Sequence, residues 1–345
     1  YVTIRCMKIA FFGLEKADQD YFLQSFGGAE FVFFGENLDE NNIEKVKDVE
    51  ALCIFVDSEI NKNIIDALPN LKFIATRSTG FNNIDCEYAK TKGIKISNVP
   101  TYGAHTVAEF TFGLILNLSR NVSKANNYIK ESFDFNFFPM MEGFDLTGKT
   151  LGVIGTGKIG KNVVKIAKGF GMNVIAYDLF PNLTFAKEND FTYKNLPEVL
   201  IESDIVTLHT PYNKENHHLI NKENISMMKK GVYFINTARG ELVDTDALVW
   251  GLQEKIIAGA GLDVLEGEHE LKEEVEIFHS PAKMKSLRLE DYKMLLEDHV
   301  LMNMPNVIIT PHIAFYTKEA VEEILKVTVL NIKGFISGSP VNLVN

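Results

Sequence analysis

A glycine-rich turn of sequence GTGKIG lies at residues 155–160 and is the strongest local sign of chemistry in the chain. It follows an apolar strand pattern and precedes the helical pattern of residues 161–168, which is the context that a dinucleotide-binding turn requires. In such a turn Gly155, Gly157 and Gly160 allow a tight bend and bring backbone N–H groups close to a pyrophosphate. We therefore predict that this turn binds a dinucleotide.

A carboxylate follows the next predicted strand, which ends in Tyr177-Asp178, 18 residues beyond Gly160. An acidic side chain at this place accepts hydrogen bonds from the ribose hydroxyls of NAD, and it repels the 2′-phosphate of NADP. The position of Asp178 therefore predicts NAD, and not NADP, as the cofactor.

An arginine and a histidine follow two later strand patterns. Arg239 comes shortly after the apolar run 232–236, and His312 comes directly after the run 307–310 and one proline. The carboxyl ends of parallel strands meet at one edge of a sheet, where ligands of such sheets bind. Arginine can bind a carboxylate through two hydrogen bonds, and histidine can carry a proton near neutral pH. We therefore predict an anionic substrate and a proton transfer at this edge.

The elements that must position these residues alternate along the whole chain, short β-branched or aromatic runs being separated by helical patterns. Strands are predicted at residues 8–12, 31–34, 51–56, 71–76 and 94–98, and then at 150–154, 173–177, 205–209, 232–236, 258–263 and 307–310. A long helix is predicted at 106–120, and the charged stretch 266–298 is predicted to form exposed helices. The fold class is therefore α/β, with two doubly wound parallel-sheet domains of Rossmann or flavodoxin type and a cleft between them.

The composition and charge of the chain exclude some classes of binding partner. Lys and Arg number 35 against 46 Asp and Glu, a formal net charge of −11, and there is no basic block. This charge argues against nucleic acid or an anionic membrane as a partner. The 3 cysteines show no CxxC spacing, which is typical of reduced thiols in a cytoplasmic protein. The most apolar window, residues 107–118, is too short to span a bilayer.

His217 and His218 are the only adjacent histidines. Neighbouring side chains do not point together on a helix, and the sequence shows no further metal-ligating cluster around them. We therefore predict no metal site.

Several blocks together resemble the D-isomer-specific 2-hydroxyacid dehydrogenases. They are TARG at 237–240, GLDVLEGE at 261–268, TPHIAFYT at 310–317, VPTYGAHTVAEF at 99–110 and the glycine-rich turn. The resemblance covers nearly the whole chain from Met7, so residues 1–6 are interpreted as an extension that is either foreign to the protein or part of an upstream segment. The AFYT after His312 and the long stretch 266–298 are most similar to the D-lactate dehydrogenase branch of the family.

The resemblance implies the site residues and their roles. Arg239, Glu268 and His312 are the implied catalytic residues; Glu266 is also available, but the family spacing of five residues beyond Asp263 selects Glu268. Glu268 would orient His312 and favour its protonated form. NAD contacts are implied at Lys158, Ile159, Asp178, Thr210, Pro211, Asn216, Thr237, Ala238 and Asp263, and substrate contacts at Ser78, Thr79, Gly80, Tyr102 and Phe315.

The implied activity is the reversible reduction of a 2-ketoacid to a D-2-hydroxyacid by hydride transfer from NADH, with His312 as the acid and base. Residues 1–102 and 315–345 would form a discontinuous substrate domain, residues 103–314 the NAD-binding domain, and the chain a homodimer. The resemblance to the D-lactate branch favours pyruvate as the substrate. Asp57 departs from that branch, since many D-lactate dehydrogenases have a tyrosine at this place, so a branched 2-ketoacid, glyoxylate or a phosphoglycerate-type substrate is an alternative. An NAD(H)-sensing transcriptional corepressor is the alternative from another class of protein.

Overall fold

The computed structural model describes residues 7–26, 30–137, 139–280, 284 and 287–345, so the extension at residues 1–6 lies outside the described residues. The chain divides into two compact units. The first runs up to Tyr102 and takes in Tyr316–Asn345, and the second is Gly103–Phe315. Phe315, which the sequence analysis grouped with the first unit, falls in the second, where its Cβ lies 3.6 Å from the point that a Cβ on Gly103 would occupy.

The first unit is a parallel sheet covered by helices. Its strands are β1 (Lys8–Phe11), β2 (Glu30–Phe33), β3 (Ala51–Ile54), β4 (Phe73–Thr76) and β5 (Lys95–Ser97), and its helices are α1 (Lys16–Ser25), α2 (Lys62–Ala67), α3 (Cys86–Thr91) and, at the C-terminal end, α13 (Lys318–Ile336). The strand order is β2-β1-β3-β4-β5, and every pair is parallel. The last helix returns to this sheet, where Phe335 stacks on Phe73 with ring centroids 4.3 Å apart. That contact explains why the C-terminal segment belongs to the first unit.

The second unit is a larger parallel sheet. Its strands are β6 (Thr150–Ile154), β7 (Asn173–Tyr177), β8 (Thr192–Tyr193), β9 (Ile205–Leu208), β10 (Val232–Asn236), β11 (Ile257–Leu262) and β12 (Val307–Ile309). Its helices are α4 (Ala104–Arg120), α5 (Val122–Ser132), α6 (Lys158–Gly169), α7 (Leu183–Glu188), α8 (Leu196–Glu202), α9 (Lys222–Met227), α10 (Thr245–Gln253), α11 (Glu268–His279) and α12 (Leu289–Asn303). The order β12-β11-β10-β9-β6-β7-β8 reverses direction between β6 and β9, the place where ligands of such sheets bind.

The strand and helix predictions are confirmed in type, with ends that shift by up to three residues. All described residues of β3, β4 and β9 are buried, because helices cover both faces of these sheets. The two-residue strand β8 was missed, since so short a run has no period to detect. The charged stretch 266–298 contains α11 and most of α12; residues 281–283, 285 and 286 of it lie outside the described residues.

Within the described ranges, no helix combines the length and the apolar character needed to cross a membrane.

Candidate active site

The three glycines of the turn between β6 and α6 meet different surroundings. Gly155 has φ +92°, and a Cβ on it would lie 2.6 Å from the His209 carbonyl oxygen. A Cβ on Gly160 would lie 2.0 Å from the carbonyl oxygen of Gly155, so a glycine is needed there for α6 to approach the turn. A Cβ on Gly157 would meet no described atom within 4 Å. The turn is therefore packed at its two ends and open at Gly157, as the approach of a pyrophosphate requires.

Asp178 is held at the end of β7 by hydrogen bonds from the same turn. Its Oδ2 accepts from the Thr156 backbone N–H at 2.6 Å and from Thr156 Oγ1 at 2.8 Å, while Oδ1 accepts from the Phe180 N–H at 2.8 Å. Thr156 Oγ1 also lies 2.8 Å from the hydroxyl of Tyr193 on β8. The carboxylate is thus fixed beside the turn, and it keeps acceptor capacity for ribose hydroxyls.

The other predicted NAD contacts lie at the carboxyl edge of the same sheet. Lys158 and Ile159 open α6, Thr210 and Pro211 follow β9, and Thr237 and Ala238 follow β10. Asn216 Nδ2 donates to the Pro211 carbonyl at 2.8 Å, which closes the loop after β9. The residues present at this edge therefore fit NAD.

Arg239 lies at the end of the loop after β10. The Asn236 side chain shapes this loop, since it donates to the Arg239 carbonyl at 2.8 Å and accepts from the Ala238 N–H at 3.0 Å. The guanidinium donates to the Ala238 carbonyl at 2.6 Å, and among the described residues no carboxylate pairs with it. A Cβ on Gly240 would lie 2.0 Å from the Leu265 carbonyl, so this glycine lets the loop pack against the segment that leads to Glu268. Arg239 is thus a half-buried cation available to an anion.

Glu268 and His312 form a hydrogen-bonded pair. His312 Nδ1 lies 2.8 Å from Glu268 Oε2, and both side chains are about a quarter exposed, at 25% and 26%. Glu268 Oε1 accepts from the Leu265 N–H at 3.1 Å, which fixes the carboxylate. Both residues line a cavity of about 440 Å³. Geometry therefore separates the two glutamates that the sequence offered: Glu268 contacts His312, and Glu266 contacts His218 at 2.9 Å.

Asp263 holds the loop that carries His312. Its Oδ1 accepts from Thr310 Oγ1 at 2.6 Å and from the Ile313 N–H at 3.0 Å, and its Oδ2 accepts from the Ala314 N–H at 2.8 Å. His312 itself has φ +54°, in the left-handed region that costs a non-glycine residue free energy. Burial raises the pKa of Asp263, against the hydrogen bonds that lower it. The sequence analysis assigned Asp263 only to NAD; its role as support for His312 was missed, although its position after β11 was the available signal.

His209 is a second residue that the sequence analysis missed. It is 8% exposed, its Nε2 lies 2.9 Å from Thr207 Oγ1, and its carbonyl packs under Gly155. Burial lowers the pKa of His209 to about 3, so its ring is neutral at physiological pH. His209 therefore packs against the glycine-rich turn as an uncharged group.

Of the substrate residues predicted in the first unit, Ser78, Thr79 and Gly80 lie in the loop after β4. Tyr102 is the last residue of the first segment of that unit. Ser78 Oγ donates to the Gly80 carbonyl at 2.6 Å, and Thr79 Oγ1 donates to the Val99 carbonyl at 2.8 Å, so both side chains shape the loop. In the described ranges, no hydrogen bond occupies the backbone N–H groups of Ser78, Thr79 and Gly80. Tyr102 is half-buried, and Asp57 is exposed after β3. The loop thus presents backbone donors that suit a carboxylate.

The expectation about the adjacent histidines is wrong in its geometry. His217 and His218 do not lie on a helix, and their rings stack with centroids 3.8 Å apart. His218 has φ +52°, a backbone conformation that turns its ring to the same side as that of His217. Glu266 joins them, and one ligand atom from each of the three residues lies within 4.8 Å of the others.

Comparisons with known proteins agree with this geometry. The family model of the D-isomer specific 2-hydroxyacid dehydrogenase, NAD binding domain, matches residues 112–314. A D-lactate dehydrogenase of Escherichia coli is 36% identical over 338 residues, covering 96% of this chain and 98% of the relative. An aromatic 2-oxoacid reductase of Clostridium sporogenes is 41% identical over 294 residues, 84% of this chain and 83% of that one.

A solved structure extends the likeness to three dimensions. The D-lactate dehydrogenase of Aquifex aeolicus, complexed with NAD and lactic acid, superposes with a TM-score of 0.86 at 36% identity and covers 96% of each chain. The family match spans almost all of the second unit, which is thus an NAD-binding domain. The chain belongs to the D-isomer-specific 2-hydroxyacid dehydrogenases.

Proposed function

We propose that this dehydrogenase reduces a small 2-ketoacid to its D-2-hydroxyacid, and catalyses the reverse reaction, with pyruvate as the favoured substrate. The observation that carries the proposal is the His312–Glu268 hydrogen bond of 2.8 Å, at the same sheet edge as the glycine-rich turn and Arg239. An acid–base group, an anion-binding cation and a dinucleotide turn are the groups that ketoacid reduction needs.

Each residue of the triad has one proposed role. Bound NADH supplies the hydride for the keto carbon. Arg239 binds the substrate carboxylate and polarises the carbonyl, because its planar guanidinium offers two parallel donors. His312 donates a proton to the developing alkoxide, and it accepts that proton in the reverse direction. Glu268 holds the ring of His312 in place through Nδ1, so that Nε2 carries the transferred proton.

Further substrate contacts are proposed for the first unit. The backbone N–H groups of Ser78, Thr79 and Gly80 are the donors we assign to the carboxylate, since the side chains of the loop are already used to shape it. Tyr102 and Phe315 are proposed as walls for the remainder of the substrate. The discontinuous first unit would then be the substrate domain.

An aromatic 2-ketoacid is the second candidate substrate. The Clostridium sporogenes relative, an aromatic 2-oxoacid reductase, matches at 41% identity. The exposed Asp57 occupies the place where the D-lactate branch often has a tyrosine, and the smaller side chain would leave more room for an aromatic substrate if this position borders it. The likeness to D-lactate dehydrogenases over 96% of the chain favours pyruvate.

The test is a steady-state panel of 2-ketoacids with NADH. Pyruvate, phenylpyruvate, a branched 2-ketoacid, glyoxylate and phosphohydroxypyruvate are compared by kcat/KM, the measure of discrimination between substrates. We expect pyruvate to lead. A lead of phenylpyruvate by tenfold or more would move the assignment to the aromatic class. The absence of turnover with every ketoacid, together with tight NADH binding, would favour the corepressor alternative.

We also propose a homodimer in the cytoplasm. Phe133, Phe135 and Phe137 are each about nine-tenths exposed, at 90%, 89% and 92%, which is a large apolar strip for one chain to leave in water. Cys53 and Cys86 are free thiols, as a reducing compartment would keep them. Light scattering after gel filtration tests the mass, and a monomer at micromolar concentration would refute the dimer.

A further inference from the structure

A cluster of two imidazoles and one carboxylate lies outside the proposed catalytic groups. His218 Nε2 lies 2.9 Å from Glu266 Oε1 and 3.0 Å from Oε2. His217 stacks on His218 with an interplanar angle of 23°, which places the two rings side by side. One ligand atom from each residue lies within 4.8 Å of the others.

The donor set fits zinc. Two imidazole nitrogens and one carboxylate oxygen, with water in the fourth position, are a known tetrahedral zinc environment. Ligands about 2.1 Å from a shared zinc ion lie roughly 3.4 Å apart, so His218 Nε2 and Glu266 Oε1, which are now 2.9 Å apart, would have to separate by about 0.5 Å to admit the ion. His217 is exposed and has a ring nitrogen within 4.8 Å of the other two ligand atoms, so its ring would have to move closer to bind the same ion. Mg²⁺ prefers oxygen ligands and binds imidazole nitrogens weakly, so this donor set does not favour it.

We propose that His217, His218 and Glu266 form a site for a divalent metal ion of the zinc class. The site joins two segments that the sequence separates by almost fifty residues, the end of the loop after β9 and the segment after β11. Glu266 stands two residues before Glu268, and Leu265 donates its N–H to Glu268 Oε1 at 3.1 Å. A bound ion would brace the segment from which Glu268 reaches His312.

A simpler arrangement, in which His218 and Glu266 form only an ion pair, makes a different prediction. In that case His217 contributes nothing, and zinc affinity does not depend on it. The chain offers a matched control in His299 and Glu274, a second surface pair with Nε2 and Oε1 2.8 Å apart. No third metal ligand joins that pair among the residues that the structure describes.

The experiment is calorimetric titration of the chelator-treated whole chain with ZnCl₂ at neutral pH, followed by thermal unfolding with and without zinc. We expect one zinc ion per chain with a Kd on the order of 1 µM, and no competition from Mg²⁺ at about a thousandfold excess. Since zinc would bind the folded chain, the melting temperature should rise by several degrees at saturating zinc.

Two variants decide between the site and the pair. His217→Ala changes an exposed side chain and should weaken zinc binding at least about tenfold, with loss of the thermal shift. His299→Ala should leave the Kd and the thermal shift unchanged. Equal zinc affinity in wild type and His217→Ala, or equal losses in both variants, would overturn the proposal. Both readouts are independent of ketoacid turnover, so the failure of the proposed function would not affect them.

Discussion

At the scale of single residues, the site depends on one strained histidine. His312 has φ +54°, and its conformation persists because the backbone around it is held at several points. Its own N–H donates to the Asp263 carbonyl at 2.9 Å, and the Asp263 carboxylate binds the residues on both sides of it. The hydrogen bonds of the buried Asp263 thus offset the free-energy cost of this backbone conformation, in which the His312 ring contacts Glu268.

The charge of Glu268 can be tested without removing its shape. A carboxylate 2.8 Å from Nδ1 holds the His312 ring more strongly than a neutral amide can, because a charged acceptor makes the stronger hydrogen bond. For Glu268→Gln we therefore expect kcat/KM for ketoacid reduction to fall about tenfold, or 1.4 kcal/mol. NADH affinity, measured by fluorescence titration, should stay within about twofold.

Two variants serve as controls for that comparison. His312→Asn removes the proton donor and should lower kcat by about 10²–10⁴. Glu274→Gln removes the same charge from the separate His299 pair and should leave kcat/KM unchanged. An unaltered kcat/KM in Glu268→Gln would show that this glutamate does not act on His312.

Arg239 is expected to act by geometry and not only by charge. Lysine keeps the positive charge but loses the two-pronged donor arrangement. Arg239→Lys should therefore raise KM for the ketoacid and lower kcat, with kcat/KM reduced tenfold or more, about 1.4 kcal/mol. NADH affinity, measured by fluorescence titration, should stay within about twofold. A loss of NADH affinity with normal ketoacid kinetics would make Arg239 a cofactor residue.

Cofactor choice is expected to follow from the Tyr193–Thr156–Asp178 hydrogen bonds. They hold the Asp178 carboxylate beside the turn, where it would repel a 2′-phosphate. The wild type should prefer NADH over NADPH by more than about tenfold in kcat/KM, or 1.4 kcal/mol. Asp178→Ala should narrow that ratio mainly through KM for NADH, and Tyr193→Phe should narrow it less. Equal use of both cofactors by the wild type would contradict the role of Asp178.

At the scale of elements, two glycines of one turn should behave in opposite ways. Gly157 faces open space at φ −66°, so an added methyl group costs the fold little but blocks the face we assign to the pyrophosphate. Gly157→Ala should keep the melting temperature and weaken NADH binding about tenfold or more. Gly160→Ala should lower the melting temperature, because its Cβ would lie 2.0 Å from a carbonyl oxygen. A normal NADH affinity in a well-folded Gly157→Ala would refute the assignment of that face.

Sequence patterns predicted the elements well, because fully buried parallel strands are continuous apolar runs with helices between them. β6, β7 and β10 match the predicted bounds, and the glycine-rich turn follows its strand as expected. Contacts between distant segments were harder to predict. No periodic pattern announces the hydrogen bonds from the His312 loop to Asp263, or the proximity of Glu266 to His217 and His218. Each of these contacts depends on how two loops at one sheet edge face each other.

At the scale of the whole molecule, acid stability reflects buried groups with opposite effects. Burial lowers the pKa of His209 to about 3, so between pH 6.5 and 3 the unfolded chain binds a proton that the folded chain refuses. The free energy of unfolding is therefore unaffected by the protonation of His209 above pH 6.5, and it decreases as the pH falls from 6.5 towards 3. Burial raises the pKa of Asp263 above 3.8, so the folded chain keeps a proton that the unfolded chain releases. That contribution grows as the pH falls towards 3.8, against the effect of His209.

His209→Gln isolates the histidine from that balance. Glutamine can keep a hydrogen bond to Thr207 Oγ1, now 2.9 Å from the ring, but it does not titrate. Between pH 6.5 and 4.5 the wild type should lose up to about 1.4 kcal/mol of unfolding free energy per pH unit to this group, and the variant should lack that loss. Urea unfolding at half-unit steps of pH measures the difference between the two proteins, in which the contribution of Asp263 cancels because the aspartate is present in both. The variant is expected to be the less stable protein at pH 7, where packing is lost, and to gain on the wild type as the pH falls. Parallel curves for the two proteins over this range would show that His209 takes up its proton in the folded chain as readily as in the unfolded one, and that its ring is not held neutral by burial.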